Sequence, residues 1–585
     1  MGAAERRVPG GERAAVSGRV VVVFVALALL PLLVSAVQFV VDAGDDWAPT
    51  ADRALIELRV RDVGRHPVQL GLYSRDGWSH PGPAAAEVLA LPYRLSGSRS
   101  IGLALGALLV NGVAIAGMAL IAARRGGLPL LLATVLALAV VARALGPEYL
   151  RDPWNCFLTV LPFGLLLFLV WAMASGDVWA LPVGVVVATY LAQSHVQYVA
   201  LGYPLLVLGA GLLTWRVLRG RAGPARRRFG IVAGLSAALL GLLWLPAIVE
   251  QLGPGEGNLG RIAEWFAEAD GGTHTLREGL RIVFGQFGLP PEWIAGHATN
   301  NAITGEPPLL LAAPLPVLLV PVVVAALVLW RRREGEALGL GLALTVALGL
   351  GVVGVARTIG LMYDYRLQWT WMLAMAAAVL VAWGAWVLVD RSPGGARVFL
   401  GTGVVGVLAL TGINVVQAAG AEPPEPERTP VVTGLVADVL EALPDRQGDV
   451  LLRFRDSGAQ SYGLGVLLQL DRHDVPAKVE DDPAHLVGDS RVHRRGAPVR
   501  ATLTVVTDDE LDAVLAAGGG DHLIAFSGPE SPAQRQRILR DTAPARRRIE
   551  AARASGELDD EAAFIALTEL RRPGPGVGVF LDLPD

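Results

Sequence analysis

The sequence predicts a mainly α, polytopic membrane protein of about eleven transmembrane helices, followed by an extracytoplasmic α/β domain. Three observations carry that prediction. Of 585 residues, 53% are apolar and 18% charged, with a mean hydropathy of +0.47, whereas a soluble chain of this length carries a charged fraction near a quarter. Apolar runs of membrane length recur from Val20 to Val416, punctuated by short arginine-rich loops. Beyond Gly420 the pattern changes to short strands alternating with helices.

Charge and cysteine narrow the classes of function. Fifty basic against 54 acidic residues give a net charge of −4, which excludes a nucleic-acid binder resting on a basic excess. Lys478 is the single lysine, so the arginines reflect a GC-rich genome more than a set of guanidinium sites. Cys156 is alone and can form no internal disulfide, and no CxxC or His/Cys cluster points to zinc.

A cytoplasmic N-terminus (1–19) precedes a membrane domain over 20–417. Its candidate spans are 20–41, 101–122, 128–145, 157–174, 178–193, 201–218, 229–248, 309–330, 337–355, 367–389 and 398–416. Arg13 and Arg19 before the first span resemble a signal peptide, but the apolar run is too long for a signal core and reads as an uncleaved helix. With the N-terminus inside, Arg124 and Arg125, Arg219 to Arg228, Arg331 to Arg333, and Arg391 and Arg397 all fall in cytoplasmic loops. The chain is therefore expected in the plasma membrane as a multi-pass protein, with external loops at 42–100 and 250–308. The second of these loops holds two amphipathic stretches suited to the membrane surface, around Trp265 and around Phe284.

A stiff linker (418–429, with Pro423, Pro424 and Pro426) leads to the α/β domain at 430–585. Strands are expected at 449–454, 475–479, 501–506 and 522–526, and helices at 431–443, 459–470, 508–515 and 532–552. No GxGxxG or GxxxxGK[ST] follows a strand, so nucleotide binding has no support.

The first external loop is the informative part. Asp42, Asp45 and Asp46 follow the first helix, Asp52, Glu57 and Asp62 continue the acidic run, and Ser79, His80, Pro81, Gly82 and Pro83 form a turn. Carboxylates at the membrane boundary can accept a proton or hold a metal beside a lipid-linked substrate. An isolated acid in a loop is more often only solvated. The paired prolines fix the backbone around His80 and hold it in one orientation.

On Asp45, Asp46 and the His80–Pro83 turn, the membrane half resembles integral-membrane glycosyltransferases of the GT-C fold that use polyprenyl-phosphate sugars. Protein O-mannosyltransferases and lipid A aminoarabinose transferases have acids just after the first helix, and the former a His-Pro-Pro turn further on. Gly82 stands in place of a proline, and the spacing from Asp46 to His80 is longer. The layout is similar, more loosely, to actinobacterial membrane proteins and to mycobacterial arabinofuranosyltransferases.

The resemblance implies sugar transfer with inversion, from a lipid-linked donor to an extracytoplasmic acceptor hydroxyl. Asp46, or else Asp45, would be the general base. His80 and arginine would stabilise the leaving phosphate. A second acid would come from Glu148 or Asp152, beside Arg151; an interfacial turn anchored by Tyr149 and Trp154 explains that loop equally well. Arg357 and Arg366 are candidate phosphate ligands because the guanidinium fork binds two oxygens; snorkelling to lipid headgroups is the simpler role. Gln193, His195 and Tyr198 line a sugar pocket or mark the interface. No cofactor is implied, a divalent metal stays open, and the acceptor can be a polysaccharide, glycolipid or protein. A transporter or flippase, or a non-catalytic cell-envelope assembly protein, is the alternative; the few ionisable residues at mid-membrane disfavour transport.

Overall fold

The structure is a computed structural model. It describes residues 16–583 except 43–46, 75, 221–222, 255, 269–273, 297–314, 361, 481–485, 556, 559–562, 564–565, 568–569 and 571–573. The chain divides into two compact units: residues 1–42 with 68–422, and residues 43–67 with 423–585.

In chain order the elements begin with α1 (Gly18–Asp42), α2 (Ala51–Asp62), β1 (Tyr73–Ser74), β2 (Trp78–Ser79), α3 (Ala84–Leu95) and α4 (Ile101–Leu145). The short α5 (Pro147–Arg151) and α6 (Asn155–Leu158) lead to α7 (Val160–Ala174), α8 (Ala180–Ser194), α9 (Gln197–Arg219) and α10 (Gly223–Gln251). Then come α11 (Asn258–Glu268), α12 (Leu276–Gly285), α13 (Glu292–Ala295), α14 (Leu319–Arg331), α15 (Gly335–Ala356), α16 (Thr370–Val389) and α17 (Pro393–Ala419).

Among the described residues, eight helices of the first unit are long and apolar enough to cross a membrane, and α8 and α14 are shorter apolar helices. The 45-residue α4 is two helices joined at Gly127, whose φ of +70° only glycine adopts freely, and Pro129 follows the break. Counting α4 twice, each of the eleven apolar runs of the sequence corresponds to a helix, although 309–314 lies outside the described residues. Pro31 removes an N–H inside α1, and the hydroxyl of Thr411 on α17 donates instead to the Leu27 carbonyl at 3.5 Å.

Helix α7 is the hub. It is buried nearly throughout, and its Trp171 packs on Trp383 of α16 and donates to the Glu336 carbonyl at the start of α15. At one end of the bundle, Arg125 at the α4 break pairs with Asp177 before α8 and with Glu336. This is the end that carries the arginine-rich loops. The antiparallel run of the helices puts the 68–100, 146–159, 195–196 and 357–369 connections at the other end.

The second unit holds α2 and then α18 (Arg428–Ala442), β3 (Asp449–Phe454), α19 (Ser457–Arg472), β4 (Ala477–Val479), β5 (Val499–Thr507), α20 (Asp508–Ala516), β6 (Leu523–Ser527), α21 (Pro532–Ser555) and β7 (Val577–Asp582). The sheet order is β4-β3-β5-β7-β6; β3 pairs parallel with β4 and β5, and β7 antiparallel with β5 and β6. The sequence reading found the other four strands and the four helices. It missed β7, whose glycine-interrupted VGVFLD lacks clean alternation yet fills the gap between β5 and β6.

The larger difference concerns α2. The sequence places residues 43–67 in the first loop of the membrane domain, but Ala54, Leu55 and Leu58 share one apolar core with Val432, Val436, Leu464 and Leu468. The acids of α2 are engaged there too. Asp62 pairs with Arg491 at 2.8 Å, Glu57 with Arg472 at 3.8 Å, and Arg61 and Arg491 both bind Asp471. Burial works against the Asp471 carboxylate, but Arg491 and Arg61 hold its pKa below the ordinary carboxylate value.

Candidate functional site

The His80 turn is built by backbone pairing. Strands β1 and β2 form a two-stranded ladder, extended by the His80 N–H donating to the Leu72 carbonyl at 2.8 Å and the Gly71 N–H to the His80 carbonyl at 3.0 Å. Gly71 is required by space: a Cβ there would lie 2.8 Å from the Gly82 carbonyl oxygen and 3.0 Å from the His80 Cβ. On the far side Asn258, at the start of α11, acts as one further strand residue. Its Oδ1 accepts from the Ser79 N–H at 2.8 Å and its Nδ2 donates to the Ser79 carbonyl at 2.7 Å. The Glu250 carboxylate in turn accepts the Asn258 N–H with both oxygens.

His80 lies buried against the α8–α9 junction, its ring 4.6 Å from that of His195 and 5.6 Å from that of Trp78. Burial first, and the Arg366 charge second, push the His80 pKa down to about 3, and burial with His80 and Arg366 holds His195 well below the ordinary imidazole value. The Val196 N–H donates to Nδ1 of His80 at 3.3 Å. A neutral ring accepting at Nδ1 carries its proton on Nε2. A neutral His80 with its proton on Nε2 can donate one hydrogen bond from that atom. Among the described residues, the buried Nδ1 of His195 has no hydrogen-bond partner.

Arg366 follows α15 in the 357–369 connection, its guanidinium 5.7 Å from the Tyr363 ring and 6.0 Å from the Tyr365 ring. Tyr365 in turn meets Trp154 of the 146–159 connection at 4.7 Å. The ends of α8, α9, α10 and α15 opposite the arginine-rich loops, together with the 68–100 connection, thereby converge on one cluster of His80, His195, Arg366 and aromatic rings.

The remaining sequence candidates divide. Asp45 and Asp46 lie outside the described residues. Glu148 is exposed, and Asp152 is buried, with Oδ1 accepting the Trp154 N–H at 2.9 Å. Both surround Arg151, which is fully buried, donates to Gln38 Oε1 at 2.7 Å and to the Glu422 carbonyl, and sits over Phe39. Burial lowers the Arg151 pKa to about 10 while Glu148, Asp152 and Asp42 favour its charged form. The charges of these acids thus favour the buried Arg151 cation. Burial first, then the Tyr198, Cys156 and Asp152 charges, raise the Tyr149 hydroxyl pKa well above its ordinary value, and Tyr198 packs on His195. Arg357 caps α15 and is exposed. Asn258 and Glu250 were missed because a loop asparagine with an acid eight residues earlier has no sequence signature; only the fold seats Asn258 on the Ser79 backbone and Glu250 on the Asn258 N–H. Among the described residues, no group of three or more His, Cys, Asp and Glu side chains is placed to hold a metal ion.

No family model and no curated protein matches this chain. Its structure is similar to that of ArnT from Cupriavidus metallidurans bound to undecaprenyl phosphate, at 14% identity over 88% of this chain and 97% of that one, with a TM-score of 0.47. It is similar to the apo state of the same protein at 14% identity, covering 85% and 94% of the two chains with a TM-score of 0.42. The Archaeoglobus fulgidus oligosaccharyltransferase in complex with zinc and sulfate follows at 12% identity, 84% of this chain, 69% of that one and a TM-score of 0.38.

Proposed function

We propose that this protein is an integral-membrane glycosyltransferase of the GT-C type, moving a sugar with inversion from a polyprenyl-phosphate donor to an acceptor hydroxyl outside the cytoplasm. The observation that carries this reading is the convergence of the His80 turn, His195 and Arg366 at the end of the bundle opposite the arginine-rich loops. The acids that follow α1 in sequence, and the resemblance they share with the His80–Pro83 turn, support it from the chain itself. With the arginine-rich end cytoplasmic, the donor phosphate would sit at the outer surface, on the Arg366 guanidinium and the Nε2–H of His80. Asp46, or Asp45, would take the proton of the attacking hydroxyl as the bond from the anomeric carbon to the phosphate oxygen breaks. A neutral His80 fits this division of labour, since it donates to phosphate without drawing a second positive charge into a buried site. The acceptor would be a polysaccharide, a glycolipid or an exported protein.

The test is transfer by purified protein in nanodiscs, supplied with a panel of polyprenyl-phosphate sugars. Asp46→Asn is expected to lower turnover by about 10²- to 10⁴-fold, the range for a lost general base, with donor binding kept. Arg366→Gln should weaken donor binding instead. If no donor in the panel is turned over, or if Asp45→Asn and Asp46→Asn both keep wild-type rates, this reading is wrong.

A further inference from the structure

Helix α21 has no part in the proposed transfer, and its charge runs against that of the chain. It carries seven arginines and two acids in a protein of net charge −4. At helical spacing Arg537, Arg540, Arg547 and Arg548 fall within a sector of about 100°, and all four are exposed. The helix docks through a different side, where Arg535 is buried and donates to Asp512 at 2.6 Å and to the Gly574 carbonyl, and where Ile538 is buried. Glu550 faces Arg546, off the stripe, and Asp541 borders it. A merely solvated helix face intersperses both signs, with acid and base paired three or four residues apart. Asp541 lies four residues after Arg537 and Glu550 three after Arg547, yet both stand outside the sector, which itself presents one sign over about three turns.

We infer that the arginine stripe of α21 docks on anionic phospholipid headgroups of the membrane in which the chain is anchored. The second unit is joined to the first at three points, after Asp42 at the end of α1, after Pro67 and after Glu422 beyond α17, and both α1 and α17 are long and apolar enough to cross a membrane. Headgroup phosphates are therefore present at high effective concentration. Guanidinium forks match phosphate oxygens bidentately, and several near one surface add their attraction, which salt screens. Because the chain as a whole is negative, the attraction has to come from a local patch, and the stripe supplies one.

The test uses the full chain with Ala551→Cys, on the same exposed face, carrying a fluorophore, in nanodiscs doped with headgroup spin-labelled lipid. Quenching should be at least about fivefold greater with phosphatidylglycerol present than with phosphatidylcholine alone, and should collapse in high salt. Replacing Arg537, Arg540, Arg547 and Arg548 together by Gln should reduce it to the phosphatidylcholine level, and replacing them by Lys should keep most of it. Unchanged hydrogen exchange across β5 controls for folding. Equal quenching in both lipids, none in either, or no effect of the glutamines overturns the proposal. So does a response to soluble polyglutamate with none to phosphatidylglycerol, which would assign the stripe to an anionic polymer.

Discussion

His80 shows how one side chain acquires its chemistry from its surroundings. In water an imidazole titrates near neutrality, but here burial and the Arg366 charge hold the folded-state pKa at about 3. The unfolded chain takes up this proton as the pH falls through about 6.5 and the folded protein does not until about 3, so acidification between those values favours unfolding. Stability should fall by about 1.4 kcal/mol per pH unit for each such histidine in that window, and His195, shifted the same way, should add to the slope. Urea or thermal unfolding of the purified protein between pH 7 and about pH 4 should show this loss. In His80→Gln the slope should be smaller by about 1.4 kcal/mol per pH unit. An unchanged slope would mean that His80 is charged or solvated in the fold.

At the scale of elements, the β1–β2 hairpin depends on contacts too close for any side chain. Gly71→Ala would set a Cβ 2.8 Å from the Gly82 carbonyl oxygen and 3.0 Å from the Gln193 carbonyl oxygen, both backbone atoms. We expect a loss of about 1 to 3 kcal/mol of stability, the usual cost of overpacking. Displacement of the hairpin should accompany it, read as faster hydrogen exchange at the His80 N–H. Gly77→Ala, where nothing lies within 4 Å but φ is +87°, separates conformational strain from steric clash. It should cost less and leave His80 protected. The helices teach a related lesson. The hydropathies of α7 (2.3, with α6) and α10 (2.2) are nearly equal, yet the first is wholly buried and the second 17% buried. Lipid tails are as apolar as a protein core, so composition identifies a membrane helix without saying which neighbour covers it.

At the scale of the whole molecule, the second unit takes its first helix from the N-terminal side of the membrane domain. The ion cluster of Asp62, Arg491, Asp471 and Arg61 ties α2 into that unit. Arg491→Ala leaves Asp62 buried without its guanidinium, and about 3 to 5 kcal/mol should be lost, as when one partner of a buried pair is removed. Limited proteolysis should then cut near residues 63–67 and 488–495 while the membrane helices remain intact. Equal protease resistance of variant and wild type would show that the apolar core alone holds α2. A chain ending at residue 422 should likewise expose the Leu55 and Leu58 face of α2 and aggregate in detergent.

By itself the sequence determined the membrane helices, the end of the bundle that collects the arginines, and the alternating character of the C-terminal region. These follow from composition and period, which are local quantities summed over a segment. His80 and Arg366 were also legible, one from its prolines and the other from its place between apolar runs. Tertiary structure decided that His195 and Asn258 join His80, that Arg151 meets Gln38 and the Glu422 carbonyl, that β7 enters the sheet, and that α2 belongs with residues 423–585. Each of these is a pairing across a long sequence separation. Nothing local records such a pairing, because the free energy that selects it comes from burial and hydrogen bonding that exist only once the distant partners have met.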